Sequence, residues 1–103
     1  MDLTDRLAAV TTLFGAHGKA PFPSRWRGAD VGGFDMVMLD AYPAGCVSVW
    51  LERQGILDDW RWNVLAESEQ RLIRVIPELD AYGRDYYQRL LDMTVLILEA
   101  DCP

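Results

Sequence analysis

The stretch FDMVMLDAYPAGCVSVWLERQG, Phe34 to Gly55, decides the fold class, because it fits two templates. With a period of 2 it reads as DMVMLDA and CVSVWLE, two strands joined by a YPAG turn in which Pro43 is preset for the second position. With a period of 3.6 it places Phe34, Met38, Ala41, Gly45 and Val49 on one helical stripe and lets Gly55 end the helix. In the helical reading Asp40 is the N-cap and Pro43 stands in the first turn, where its missing N–H costs no hydrogen bond. Helix over 34–54 is preferred, since the flanking segments are helical and an isolated two-stranded hairpin is marginal. The alternative is an α+β fold with a hairpin at about 35–52.

Working outward, LTDRLAAVTTLFGAHG spaces Leu3, Leu7, Val10 and Phe14 by three and four, with Leu13 alongside, and predicts a helix over 4–17 capped by Thr4 or Asp2 and ended by Gly18. Residues 18–33, GKAPFPSRWRGADVGG, hold two prolines and four glycines and predict a long loop. Downstream, Asp58 is expected to cap a helix over 58–76, with Leu57 and Trp62 at the two positions of a hydrophobic staple. Its stripe runs Trp62, Leu65, Ala66, Glu69, Leu72, Ile73, Ile76, which leaves Glu67 and Ser68 for the solvent face. Pro77 stops it. Asp80 caps a last helix over 81–99 carrying Tyr86, Leu90, Met93 and Ile97, whose end, TVLILEA, is apolar on every side and so calls for burial. Cys102 and Pro103 read as a frayed tail.

The expected architecture is therefore mainly α: a compact bundle of about four helices with a long N-terminal loop, one domain over 1–103. A chain of 103 residues supports one core, and its balance of 50% hydrophobic to 25% charged residues is that of a globular protein. The helices carry more apolar surface than a small bundle easily hides, which predicts a homodimer.

Sixteen acidic against ten basic residues, a net charge of -6, oppose phosphate backbones and anionic lipid, so neither nucleic acid nor membrane is an expected partner. The longest apolar run, VLIL at 95–98, is too short to span a bilayer, and MDLTDRLAAV lacks the apolar core of a secretory signal. Two cysteines 56 residues apart and a single histidine match no zinc or disulfide framework, and reduced thiols in the cytoplasm follow. The arginine bias, with Lys19 the only lysine, is consistent with a GC-rich bacterial source.

No catalytic signature stands in the chain. Cys46 is a candidate nucleophile if the second helix begins just before it and His17 supplies a base, but free cysteine is more often a small buried hydrophobe. His17 suits the C-terminal end of the first helix as a cap. Glu69, on an apolar stripe, needs an arginine or tyrosine partner if it is interior. Asp58 and Asp59 read as a cap and a dipole-complementing acid, without the third ligand a metal requires, and no cofactor is expected. The basic loop interleaves Arg25 and Arg27 with Trp26, residue types enriched at interfaces, and Trp60 points away from Trp62. The expected function is a non-catalytic interaction or regulatory module that binds a protein partner, or a second copy, through Arg25, Trp26, Arg27 and Trp60. The alternative is a small-molecule-binding protein or minor enzyme with an aromatic-lined pocket served by Glu69, Cys46 or His17.

Overall fold

The computed structural model describes residues 1–100, so the expectations for Cys102 and Pro103 lie outside the described residues. Four helices form it: α1 (Leu3–Lys19), α2 (Met36–Glu52), α3 (Asp59–Val75) and α4 (Ala81–Ala100). Among the described residues, two short 3-10 turns, Ser24–Trp26 and Ile76–Glu78, and a minimal antiparallel pair, β1 (Asp30–Val31) with β2 (Phe34–Asp35), accompany the helices. The mainly helical reading holds.

Helix wins over 36–52 and the hairpin is displaced to residues 30–35, inside what reads as loop. The Gly32–Gly33 pair, at φ +60° and +86°, makes the turn that a side chain would oppose. Asp35, not Asp40, is the N-cap of α2, its carboxylate accepting from Met38 N at 3.0 Å. Pro43 therefore stands at the eighth helical position instead of the first turn, and Cys46 lies mid-helix. The helix tolerates the proline because Pro43 is itself buried among Met36, Leu39, Cys46, Val47 and Trp50, whose packing outweighs one lost backbone bond.

The end of α2 also differs in detail. Gly55 N donates to Trp50 O at 2.8 Å and Gln54 N to Leu51 O at 3.1 Å, a Schellman motif in which Gln54, at φ 56°, takes the left-handed position. Gly55 follows it, where an added Cβ would sit 2.8 Å from Leu3 Cδ1, so α1 starts directly on this turn. Replacing Gln54 with glycine should stabilise the fold by less than about 1 kcal/mol in urea unfolding, since relief of the left-handed conformation outweighs loss of the exposed bond from Gln54 Nε2 to Leu51 O at 3.2 Å.

Helix α4 is central and touches the other three. It runs antiparallel to α1, as Arg6 reaches Leu96 at one end and His17 meets Tyr86 at the other. Its expected stripe, Tyr86, Leu90, Met93 and Ile97, is buried. On α1 the stripe is rotated: Arg6, Val10 and His17 face inward, while Leu3 is exposed. Arg6 can be buried because Nη1 donates to Leu96 O at 2.8 Å, close to the C-terminal carbonyls of α4 where a cation is favoured. On α3 the core takes Leu65, Ser68, Leu72 and Val75, so Ser68 is inside, its hydroxyl donating to Val64 O at 2.7 Å, and Ile73 is exposed. On α3 the inward positions follow the 3-4-3 spacing of a bundle seam, which admits Ser68 because its hydrogen bond is local, whereas on α1 Arg6 and His17 are admitted by partners on other helices.

The accessible surface, 5968 Å², is close to the about 5,900 Å² of a folded monomer of 11.7 kDa. Of the large apolar side chains left outside, Met38, Tyr42 and Trp60 line one groove, and Met1, Leu3, Ile56, Ile73 and Tyr82 lie elsewhere. Among the described residues no helix is long and apolar enough to cross a membrane.

Candidate functional site

The three catalytic candidates are held apart, each by different neighbours. His17, 7% exposed, sits between α1, α2 and α4 with Nε2 2.7 Å from Asp40 Oδ1 and its ring centroid 4.6 Å from that of Tyr86. An ionised carboxylate only accepts, so Nε2 carries the hydrogen; Nδ1 is buried without a partner among the described residues. Tyr86 donates its hydroxyl to the other oxygen of Asp40 at 2.8 Å. Burial, reinforced by this bond to Asp40, pushes the Tyr86 hydroxyl well above its usual value. One carboxylate thus ties three helices together, and Asp40, read from the sequence as a cap, is the residue at its centre.

Cys46 faces α3 instead, beside Tyr42, Trp60, Arg61 and Val64. Burial pushes its thiol above the ordinary 9.0, against the opposing pull of the Arg61 guanidinium. An activated nucleophile needs the reverse. Glu69 is half-buried, and among the described residues its recorded partner is Gln70, whose Nε2 donates to it at 3.4 Å. Among the described residues it has neither the arginine nor the tyrosine that an interior carboxylate requires.

Asp58 caps α3, accepting from Arg61 N at 3.2 Å and pairing with Arg61 at 2.7 Å and Arg53 at 3.2 Å. The Arg61 bond holds its carboxyl below the usual range. Among the described residues no group of three histidine, cysteine or carboxylate side chains is arranged to hold a metal.

The basic loop is turned to work within the chain. Trp26 Nε1 donates to Asp80 Oδ1 at 3.2 Å, and Arg25 lies over the Trp26 ring at 4.9 Å and pairs with Asp80 at 3.6 Å. Arg27 covers Phe22, also at 4.9 Å. Trp26 therefore closes one end of the core over the start of α4, where an added Cβ on Gly83 would meet its indole nitrogen at 2.7 Å. The structure does not bring this cluster and Trp60 to one surface groove.

What Trp60 joins is a groove between α2 and α3. Its wider part, about 600 Å³, is lined by Phe34, Met38, Leu39, Tyr42, Trp60 and Val64, with Asp35, Glu67, Ser68 and Arg71 as polar neighbours. A narrower part, about 220 Å³, continues past Ala41, Gly45, Cys46, Val49 and Arg61. The two share Tyr42, Trp60 and Val64, so they form one trough. Lining positions span Met38 to Val49 on α2 and Trp60 to Arg71 on α3, about three turns or roughly 17 Å of each. Met38 is 47%, Tyr42 59% and Trp60 66% exposed.

The expected α2 stripe of Met38, Ala41, Gly45 and Val49 is real, but it lines this trough and not the core. The helix has two apolar faces, and the described residues cover only one. The trough's arginines are already matched: Arg61 lies 5.5 Å over Trp60 and pairs with Asp58, while Arg71 lies 5.0 Å over Phe34 and pairs with Glu67 at 3.7 Å. Sequence reasoning singled out Trp60 but missed Met38 and Tyr42 as surface residues; the signal was an apolar face left over once the other face of α2 is assigned to the core. Comparison with protein-family models, curated proteins and solved structures finds no match for this chain.

Proposed function

We propose that this chain is a non-catalytic interaction module whose α2–α3 trough receives an amphipathic helix of a protein partner. The carrying observation is the second apolar face of α2, which Met38, Ala41, Gly45 and Val49 present to solvent opposite Trp60 and Val64. A trough three turns long and open along its length suits a helix lying in it with anchors at i, i+3 or i+4, and i+7. Trp60 and Tyr42 are the residue types that dominate such contacts, and small Ala41 and Gly45 allow close approach. Because the trough's arginines already have carboxylate partners, the occupant supplies apolar anchors more than charge. The net charge of -6 favours encounter with a helix whose outer face is basic and disfavours a second copy of the same chain. Arg25, Trp26 and Arg27, expected at the interface, serve the core's end in this reading.

Selection from a library of helical peptides tests it. Binders should carry an apolar stripe with basic residues outside, and Trp60→Ala should weaken them about 30-fold or more while the fold is retained. Binding of small aromatic fragments without any helical binder would replace this reading with a small-molecule site, and binders indifferent to Trp60 would remove it.

A further inference from the structure

We propose that Pro43 divides α2 into two halves and that Asp40 latches the N-terminal half, so that the shape of the trough is set from the opposite side of the bundle. The inference rests on the trough as a functional surface, but not on what the trough binds. Proline has no N–H, so the ladder of α2 lacks the bond that residue 43 would give to Leu39 O, and a helix loses stiffness where that bond is missing. Among the described residues, every side-chain hydrogen bond made to α2 by another helix falls on the N-terminal side of this break. His17 Nε2 and the Tyr86 hydroxyl share the two oxygens of Asp40, at 2.7 and 2.8 Å, and the Tyr87 hydroxyl donates to Met36 O at 2.6 Å.

The same half supplies Met38, Leu39 and Tyr42 to the trough. Burial holds both halves, through Met36 and Leu39 in one and Cys46, Val47 and Trp50 in the other, and the C-terminal half also ends on the Gln54–Gly55 turn. The side-chain hydrogen bonds from other helices are what the N-terminal half has in addition. Asp40 is thus a positioning residue: two donors on α1 and α4 fix one carboxylate, and the carboxylate fixes the angle at which Met38 and Tyr42 face Trp60. Loss of either donor frees residues 36–42 to pivot about Pro43 without unfolding the bundle.

Amide hydrogen exchange of the full chain distinguishes this from a general structural role. In Asp40→Asn, amides of residues 36–42 should exchange about tenfold faster or more, while those of 46–52 and of α4 keep their rates. Adding Pro43→Ala should restore protection of 36–42, because a continuous ladder removes the pivot. Tyr86→Phe, which keeps the carboxylate and deletes one donor, should show the same pattern more weakly, and it carries the test should Asp40→Asn fail to fold. Even loss of protection along the whole of α2, or no rescue by Pro43→Ala, overturns the proposal; peptide binding plays no part in the readout.

Discussion

Between pH 9 and pH 11 the fold is expected to lose about 3 kcal/mol or more of stability, a large share of the about 5–15 kcal/mol usual for a domain. Three buried groups cause this. Tyr86 and Tyr87 are raised well above their ordinary 10.0, first by burial and then by the nearby Asp40 carboxylate, and Cys46 is raised above 9.0 by burial. In the unfolded chain each releases its proton near its ordinary value; in the folded chain the two tyrosines keep theirs through this range and Cys46 gives up its proton later than it would unfolded. Stability is therefore fully present below about pH 9 and falls as pH rises, by up to about 1.4 kcal/mol per pH unit for each group. Urea midpoints measured from pH 7 to 11 check the sign. Tyr86→Phe and Tyr87→Phe should each flatten the upper limb, and an unchanged slope in both would show that these hydroxyls titrate as they do in the unfolded chain.

The second large effect separates two tryptophans that the sequence presents alike. Trp50 is 1% exposed and among the largest fully buried side chains, so Trp50→Ala should cost about 3–5 kcal/mol, a large part of the total. Trp60 is 66% exposed, and Trp60→Ala should change stability by no more than about 0.5 kcal/mol. Thermal or urea unfolding of both variants measures the contrast. A large destabilisation by Trp60→Ala would make that ring part of the core's support and remove the argument that its exposure serves a partner.

Element type was legible wherever periodicity ran over several turns between clear caps, as in α3 and α4, where Asp58 and Asp80 cap as expected. Facing was less legible, for a physical reason: a hydrophobicity stripe cannot foresee that a polar side chain will find a partner across the bundle. Arg6 faces inward because the Leu96 carbonyl lies there, and His17 because Asp40 does. Asp40 looked like a cap because aspartate before a proline so often is one, yet Asp35 had already started the helix. In α2 nearly every position is apolar, so the sequence contained both the core face and the trough face with nothing to rank them. Trp60 was found as a surface residue because Trp62, two positions on, takes the staple; its neighbours Met38 and Tyr42 came into view only when α2 was packed on α4.

The most direct measurement is a titration of the isotope-labelled chain with the tightest helical peptide from the selection, following the Trp60 indole N–H and the amides of α2 and α3 by NMR. Shifts centred on Met38, Tyr42, Gly45, Trp60 and Val64, lost in Trp60→Ala, are the result the trough predicts. Shifts centred instead on Arg25, Trp26 and Arg27, with the Trp60 indole unmoved, would contradict it.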